Sequence, residues 1–220
     1  MLTGGISTIH GKSFFRLQIN FEKCLESSPL IAILRGITPA EIPGVCDALF
    51  ENGVMLLEIP LNTPDALLCI AEAVRYAGTR QLIGAGTVLS PEDVLRVREA
   101  GGKFIISPNT DPAVIRKTKE LGLVSIPGFF TPTEAFAAIA AGADYLKLFP
   151  AGCMGVNYVR DLQAVIKKPI LAVAGINEKN LKEFLSVCPG AGICGAFYKP
   201  GRSAEEVSEC ARRLMDIVRL

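Results

Sequence analysis

From Leu30 onward the sequence renews one unit about every 24 residues: a short aliphatic run, a turn residue, then a segment of helical periodicity. The runs are Leu30–Leu34, Val54–Ile59, Gln81–Ala85, Lys103–Ile106, Leu123–Ile126, Tyr145–Phe149, Ile170–Val173 and Ala191–Cys194. One such unit cannot bury its own strand, so neighbours must share a sheet. Each run is apolar on both faces, as a parallel strand is when helices cover it outside and side chains fill the space inside. Five loops carry the same helix-start signal, a capping residue before proline: Thr38-Pro39, Thr63-Pro64, Ser90-Pro91, Asp111-Pro112 and Thr131-Pro132. The first run is followed by Leu34-Arg35-Gly36-Ile37 and not by a glycine-rich dinucleotide turn. Eight units without that turn predict an α/β fold of the closed (β/α)8 TIM barrel kind and not an open doubly wound sheet.

The barrel is expected to take residues 30–220, with residues 1–29 an N-terminal extension whose helix, around Phe14 to Glu26, covers the bottom. No linker or low-complexity tract marks a second domain. Lys and Arg number 23 against 22 Asp and Glu, a formal net charge of +1, so neither nucleic acid nor an anionic membrane is an expected partner. The longest apolar stretches, such as Ala135 to Ala143, stop short of the roughly 18 residues that span a bilayer, and the first twenty residues hold no signal-peptide core. The seven cysteines are odd in number, scattered and without a C-x-x-C pair, which points to reduced thiols. A soluble, cytoplasmic protein is expected. The sole histidine, His10, disfavours a histidine-rich metal site, a Ser-His-Asp triad and a Cys-His pair. Acid–base chemistry must then rest on carboxylates, lysines, tyrosines or water.

Barrel chemistry collects at the C-terminal ends of the strands, which makes the polar residues closing each run the candidates. Lys147 stands in Asp144-Tyr145-Leu146-Lys147-Leu148-Phe149-Pro150 and by alternation shares a face with Tyr145 and Phe149. If that face is the interior, desolvation favours the neutral amine that a Schiff base requires; the alternative is a lysine reaching the rim or held in a structural ion pair. Glu58 closes Val54–Ile59 as a lone charge, either a proton shuttle or a counter-ion for Lys147 or Arg35. Arg35 offers a fixed fork for a substrate carboxylate. After the last two runs, Gly175 and Ile176, and Gly195 and Ala196, offer backbone N–H groups where barrels often bind phosphate, or else simply make tight turns.

Together, PLIAILRGITPAE (Pro29 to Glu41), LLEIPLNTP (Leu56 to Pro64), LIGAGTVLSPEDV (Leu82 to Val94), ISPNTDPAVI (Ile106 to Ile115) and YLKLFPA (Tyr145 to Ala151) resemble the 2-keto-3-deoxy-6-phosphogluconate / 4-hydroxy-2-oxoglutarate aldolase family. The resemblance runs from about Pro29 to Leu220 with spacing kept. It implies a metal-free, cofactor-free class I aldolase that cleaves a 2-keto-3-deoxy sugar acid phosphate to pyruvate and glyceraldehyde 3-phosphate, on a barrel that forms a homotrimer. Lys147 matches the family's Schiff-base lysine and Glu58 its general acid/base. Arg35 and Thr87 match positions that hold the carboxylate end of the substrate, and Pro108 the loop beside it.

EIPLN at Glu58 to Asn62 looks like the 6-phosphogalactonate branch, since the gluconate branch usually has arginine where Asn62 stands; Val173, where that branch tends to carry threonine, points the same way. Two positions depart from the family: its Gly-Gly phosphate turn is Ala174-Gly175 here, and its Gly-Ser after strand eight is Gly195-Ala196. A 4-hydroxy-2-oxoglutarate or unphosphorylated keto-deoxy acid aldolase, and a barrel that binds a sugar phosphate without turnover, are the alternatives. An isomerase or thiamine-phosphate-synthase type of barrel would want a richer Gly/Ser phosphate loop.

Overall fold

In the computed structural model, which describes residues 20–219, the eight apolar runs form β1 (Leu30–Ile33), β2 (Leu56–Pro60), β3 (Leu82–Gly86), β4 (Phe104–Ile106), β5 (Val124–Ile126), β7 (Leu146–Leu148), β8 (Ile170–Val173) and β9 (Ala191–Ile193), and a further short strand outside those runs, β6 (Gly128–Phe129), follows β5. All pairings are parallel, in the order β5-β4-β3-β2-β1-β9-β8-β7-β6. The two ends of that order are consecutive in the chain and parted by Pro127 alone. Proline has no N–H for the ladder, so one stave is broken into two segments. The Pro127 carbonyl still accepts from the Lys147 N–H at 2.9 Å. The sheet therefore closes on itself as the expected barrel: eight staves, one of them in two pieces.

Nine helices follow among the described residues: α1 (Phe21–Ser27), α2 (Ile42–Glu51), α3 (Ala66–Ala77), α4 (Pro91–Glu99), α5 (Pro112–Glu120), α6 (Pro132–Ala140), α7 (Gly155–Gln163), α8 (Leu181–Leu185) and α9 (Ala204–Arg219). Ser90 and Asp111 cap α4 and α5 through their side chains, and Thr131 and Glu134 form a capping box on α6. Thr38 and Glu41 form another around a 3-10 turn, Pro39–Glu41, that leads into α2. The start expected at Thr63-Pro64 is not used. There α3 begins at Ala66 behind Asp65, whose φ is 52°. Thr63 is buried instead, and its Oγ1 accepts from the Gly36 N–H at 3.0 Å. A backbone donor in the β1 loop needed a partner, and satisfying it outweighed capping.

The apolar groups sort into two layers. Residues such as Leu30, Ala32, Leu57, Ile83 and Ile105 face the helices. Ile31, Leu56, Leu82, Phe104, Ile106, Ile126 and Leu171 fill the barrel's lower interior together with Phe21, Cys24 and Leu25 of α1. The Phe21 ring lies 5.3 Å from Phe104, edge-on, and 5.0 Å from Tyr145. Helix α1 thus closes the bottom; it starts at Phe21 behind the extended N-cap Asn20, so the expected helix does not run unbroken through that residue, while Phe14 to Ile19 and His10 lie outside the described residues. Among the described residues no helix is long and apolar enough to cross a membrane.

Candidate active site

Strand alternation decides which side chains enter the barrel. On β2, Leu56 belongs to the interior cluster, so Glu58, two residues on, points the same way one layer higher. On the stave ending in β7, Tyr145 packs on that cluster and Lys147 follows it. Strands β2 and β7 are four staves apart in either direction round the barrel. Glu58 and Lys147 therefore approach the axis from opposite walls, and only 2% and 5% of their surfaces are exposed.

Above the lower core the interior opens into a cavity of about 150 Å³ lined by Arg35, Glu58, Lys147, Phe149, Gly175 and Cys194 among others. Lys147 and Glu58 share this space without an ion pair among the described residues, so each keeps its desolvation cost. Glu58 Oε2 is buried with no hydrogen-bond partner among the described residues. Burial pushes the Glu58 carboxyl above the ordinary carboxylate value, against the opposing charges of Lys147 and Arg35. Burial likewise pulls the Lys147 amine below its ordinary value; Glu58 opposes that shift and Arg35 adds to it. The Lys147 Nζ sits 4.7 Å from the centre of the Phe149 ring. An amine biased toward neutrality beside a carboxyl biased toward holding its proton is the pairing that carbonyl addition needs.

Arg35 stands one residue beyond the Leu34 N–H, which donates to the Glu58 carbonyl at 2.9 Å, so the β1 loop is tied to the stave carrying the carboxyl. The turn after β8 runs through Ala174 at φ 71° and Gly175 at φ 75°, two consecutive left-handed residues. Gly175, Ile176 and Gly195 line the cavity. Their N–H groups and that of Ala196 donate to no backbone acceptor among the described residues.

Ala196, Thr87 and Pro108 are not among the residues around the cavity. Thr87, at φ 55°, borders a separate groove with Asn62, Leu68 and Arg96. Pro108 lies under the β6 stave, its carbonyl against Gly128. Ile33, Phe149, Gly192 and Cys194 line the site without having been singled out by their chemistry. Alternation contained the signal for two of them: Ile33 lies two residues after Ile31, and Phe149 two after Lys147. Among the described residues no cluster of three metal-ligating side chains exists.

A sequence model described as KDPG and KHG aldolase matches residues 21–211. A protein of Rhizobium meliloti strain 1021 named probable 2-dehydro-3-deoxy-6-phosphogalactonate aldolase is 46% identical over 186 residues, 83% of this chain and 88% of its own. One of Escherichia coli K12 named 2-dehydro-3-deoxy-6-phosphogalactonate aldolase is 41% identical over 83% of this chain and 91% of its own. A solved structure described as native KDPGal superposes with a TM-score of 0.84 at 40% identity, covering 87% of this chain and 94% of that one.

Proposed function

The chain belongs to the KDPG and KHG aldolase family, and from that premise we propose how its barrel works: as a class I aldolase that cleaves a 2-keto-3-deoxy-6-phospho sugar acid, of galactonate or gluconate configuration, to pyruvate and glyceraldehyde 3-phosphate. The observation that carries this reading is the convergence of Lys147 and Glu58, both buried, from opposite staves on one cavity. The Lys147 Nζ lone pair adds to the C2 ketone to give a carbinolamine. Glu58 protonates its hydroxyl, through a water, and the hydroxyl leaves as water; the iminium that results is the electron sink. The Glu58 carboxylate then takes the proton of the C4 hydroxyl. The C3–C4 bonding pair flows into the iminium, which releases the aldehyde and leaves an enamine. Glu58 returns the proton to C3, and water hydrolyses the imine to pyruvate and the free amine. The iminium takes the role a metal would serve elsewhere, so the route requires neither metal nor cofactor.

In this reading Arg35 holds the substrate carboxylate, with Thr87 and Pro108 supporting the neighbouring loops. The phosphate lies at the N–H groups of Gly175, Ile176 and Gly195, with Ala196 beside them. The galactonate configuration is favoured by Asn62 and Val173 and by the names of the two relatives. A second reading, an unphosphorylated keto-deoxy acid as substrate, is supported by the missing hydroxyl donor in Cys194-Gly195-Ala196. A panel of both epimers, phosphorylated and not, assayed by coupled pyruvate release, separates them: the proposal expects the 6-phosphogalactonate derivative to give the highest kcat/KM, and a preference for unphosphorylated acids contradicts it. The same reading includes a cytoplasmic location, supported by seven unpaired cysteines, and a homotrimer, supported by exposed Leu68, Leu89 and Leu95.

A further inference from the structure

Glu58 reaches the cavity along the inner wall of β3. Its own residue pairs in register with Gly84, and its side chain climbs toward Gly86, the last residue of that strand. A Cβ at Gly86 would lie 1.7 Å from Glu58 Oε1, 2.5 Å from its Cδ and 2.9 Å from its Cγ, and these are the three nearest atoms it would meet. Gly86 is in strand geometry and does not have a positive φ, so glycine is not needed there for its backbone freedom. The absent side chain is what the site uses. We propose that Gly86 is a positioning residue for the aldol reaction: the bare backbone at the end of β3 forms the seat for the Glu58 carboxyl and fixes where it stands in the cavity.

This rests on the reading of Glu58 as proton shuttle. The collision predicted for a methyl group at residue 86 is with one side chain, at its carboxyl end and Cγ, and not with backbone, so the barrel can keep its fold while the carboxyl is displaced. Lys147, on the opposite wall, is untouched, so imine formation with pyruvate should survive while proton transfer at C3 and at the C4 hydroxyl fails. A displacement of about 1 Å in a reacting group costs on the order of 10²-fold in rate.

The test makes Gly86→Ala in the wild type and in Glu58→Gln and measures kcat, KM, the pH profile and borohydride trapping of the pyruvate imine. We expect kcat to fall about 10- to 100-fold in the wild-type background, with KM little changed, imine trapping retained and the pH profile shifted. In the Glu58→Gln background the added loss should vanish, because there is no longer a proton shuttle to misplace. A kcat within about threefold of wild type, or an equal loss in both backgrounds, overturns the proposal. Near-normal turnover of Glu58→Gln alone defeats the shuttle reading itself, and Gly86 falls with it; that outcome is distinct because it appears without any change at residue 86. If Gly86→Ala does not fold, Glu58→Ala/Gly86→Ala is made, which removes all three atoms the methyl would meet. That double variant should fold, and its failure to do so overturns the proposal.

Discussion

An amine and a carboxyl held without an ion-pair contact in one cavity work against the fold, a cost that the proposed Schiff-base and proton-shuttle roles account for. With its folded pKa above the unfolded one, Glu58 contributes fully to stability below the ordinary carboxylate value and loses that contribution as pH rises through the raised value. Glu58→Gln should therefore melt at a higher temperature than the wild type at pH 8 and show no such advantage near pH 4. The same variant should lose about 10²-fold or more in turnover while still trapping pyruvate as an imine. Unchanged turnover, or a lower melting temperature at pH 8, would make Glu58 a structural partner only. Lys147 and Glu58 were legible in the sequence because a lone charge inside an apolar strand is rare. Gly192 and Cys194 were not, since small residues at the end of an apolar run look alike whether they shape a cavity or only close a strand. Gly86 was hidden for a related reason: its contribution is an absence of atoms, and only the position of the Glu58 carboxyl reveals it.

Among the elements, caps and strands were read from local rules, and the misses occurred where tertiary contacts competed with them. Ser90, Asp111 and Thr131 cap helices because their side chains face only their own first turns. Thr63 carries the same local signal, yet its hydroxyl is taken by the Gly36 N–H across the β1 loop. The expected strand Leu123–Ile126 appears as β5, and its stave continues past Pro127, which withholds an N–H, as the unexpected short strand β6 without altering the closure. The loop after β9 invites a direct comparison. Gly195 lines the cavity and Ala196 does not, so on the proposed phosphate site a hydroxyl introduced at residue 195 is the one expected to meet the phosphate. A charge-assisted hydrogen bond contributes about 1.5–3 kcal/mol. Gly195→Ser should accordingly raise kcat/KM about tenfold or more for a 6-phosphorylated substrate and leave the unphosphorylated acid nearly unchanged, whereas Ala196→Ser should do neither. Equal gains on both substrates, or a gain from Ala196→Ser alone, would place the phosphate elsewhere.

For the whole molecule, the closed barrel converts sequence distance into proximity: Glu58 and Lys147, on β2 and β7, meet only because eight staves put those two strands on opposite walls. The period of the repeat made that closure legible, since eight units without a dinucleotide turn leave few other ways to bury parallel strands. Assembly was not legible from periodicity; exposed Leu68, Leu89 and Leu95 bear on it, and sedimentation at micromolar concentration should give about three times the 23.5 kDa chain mass if the trimer is right, with a monomer mass ruling it out. Function rests on a single bond. The protein is incubated with pyruvate and sodium borohydride, digested and examined by mass spectrometry, with Lys147→Met alongside. The account predicts loss of activity together with a reduced pyruvyl group on the peptide that holds Lys147, and neither label nor activity in the variant; label on another lysine, or full activity with no label at all, would contradict it.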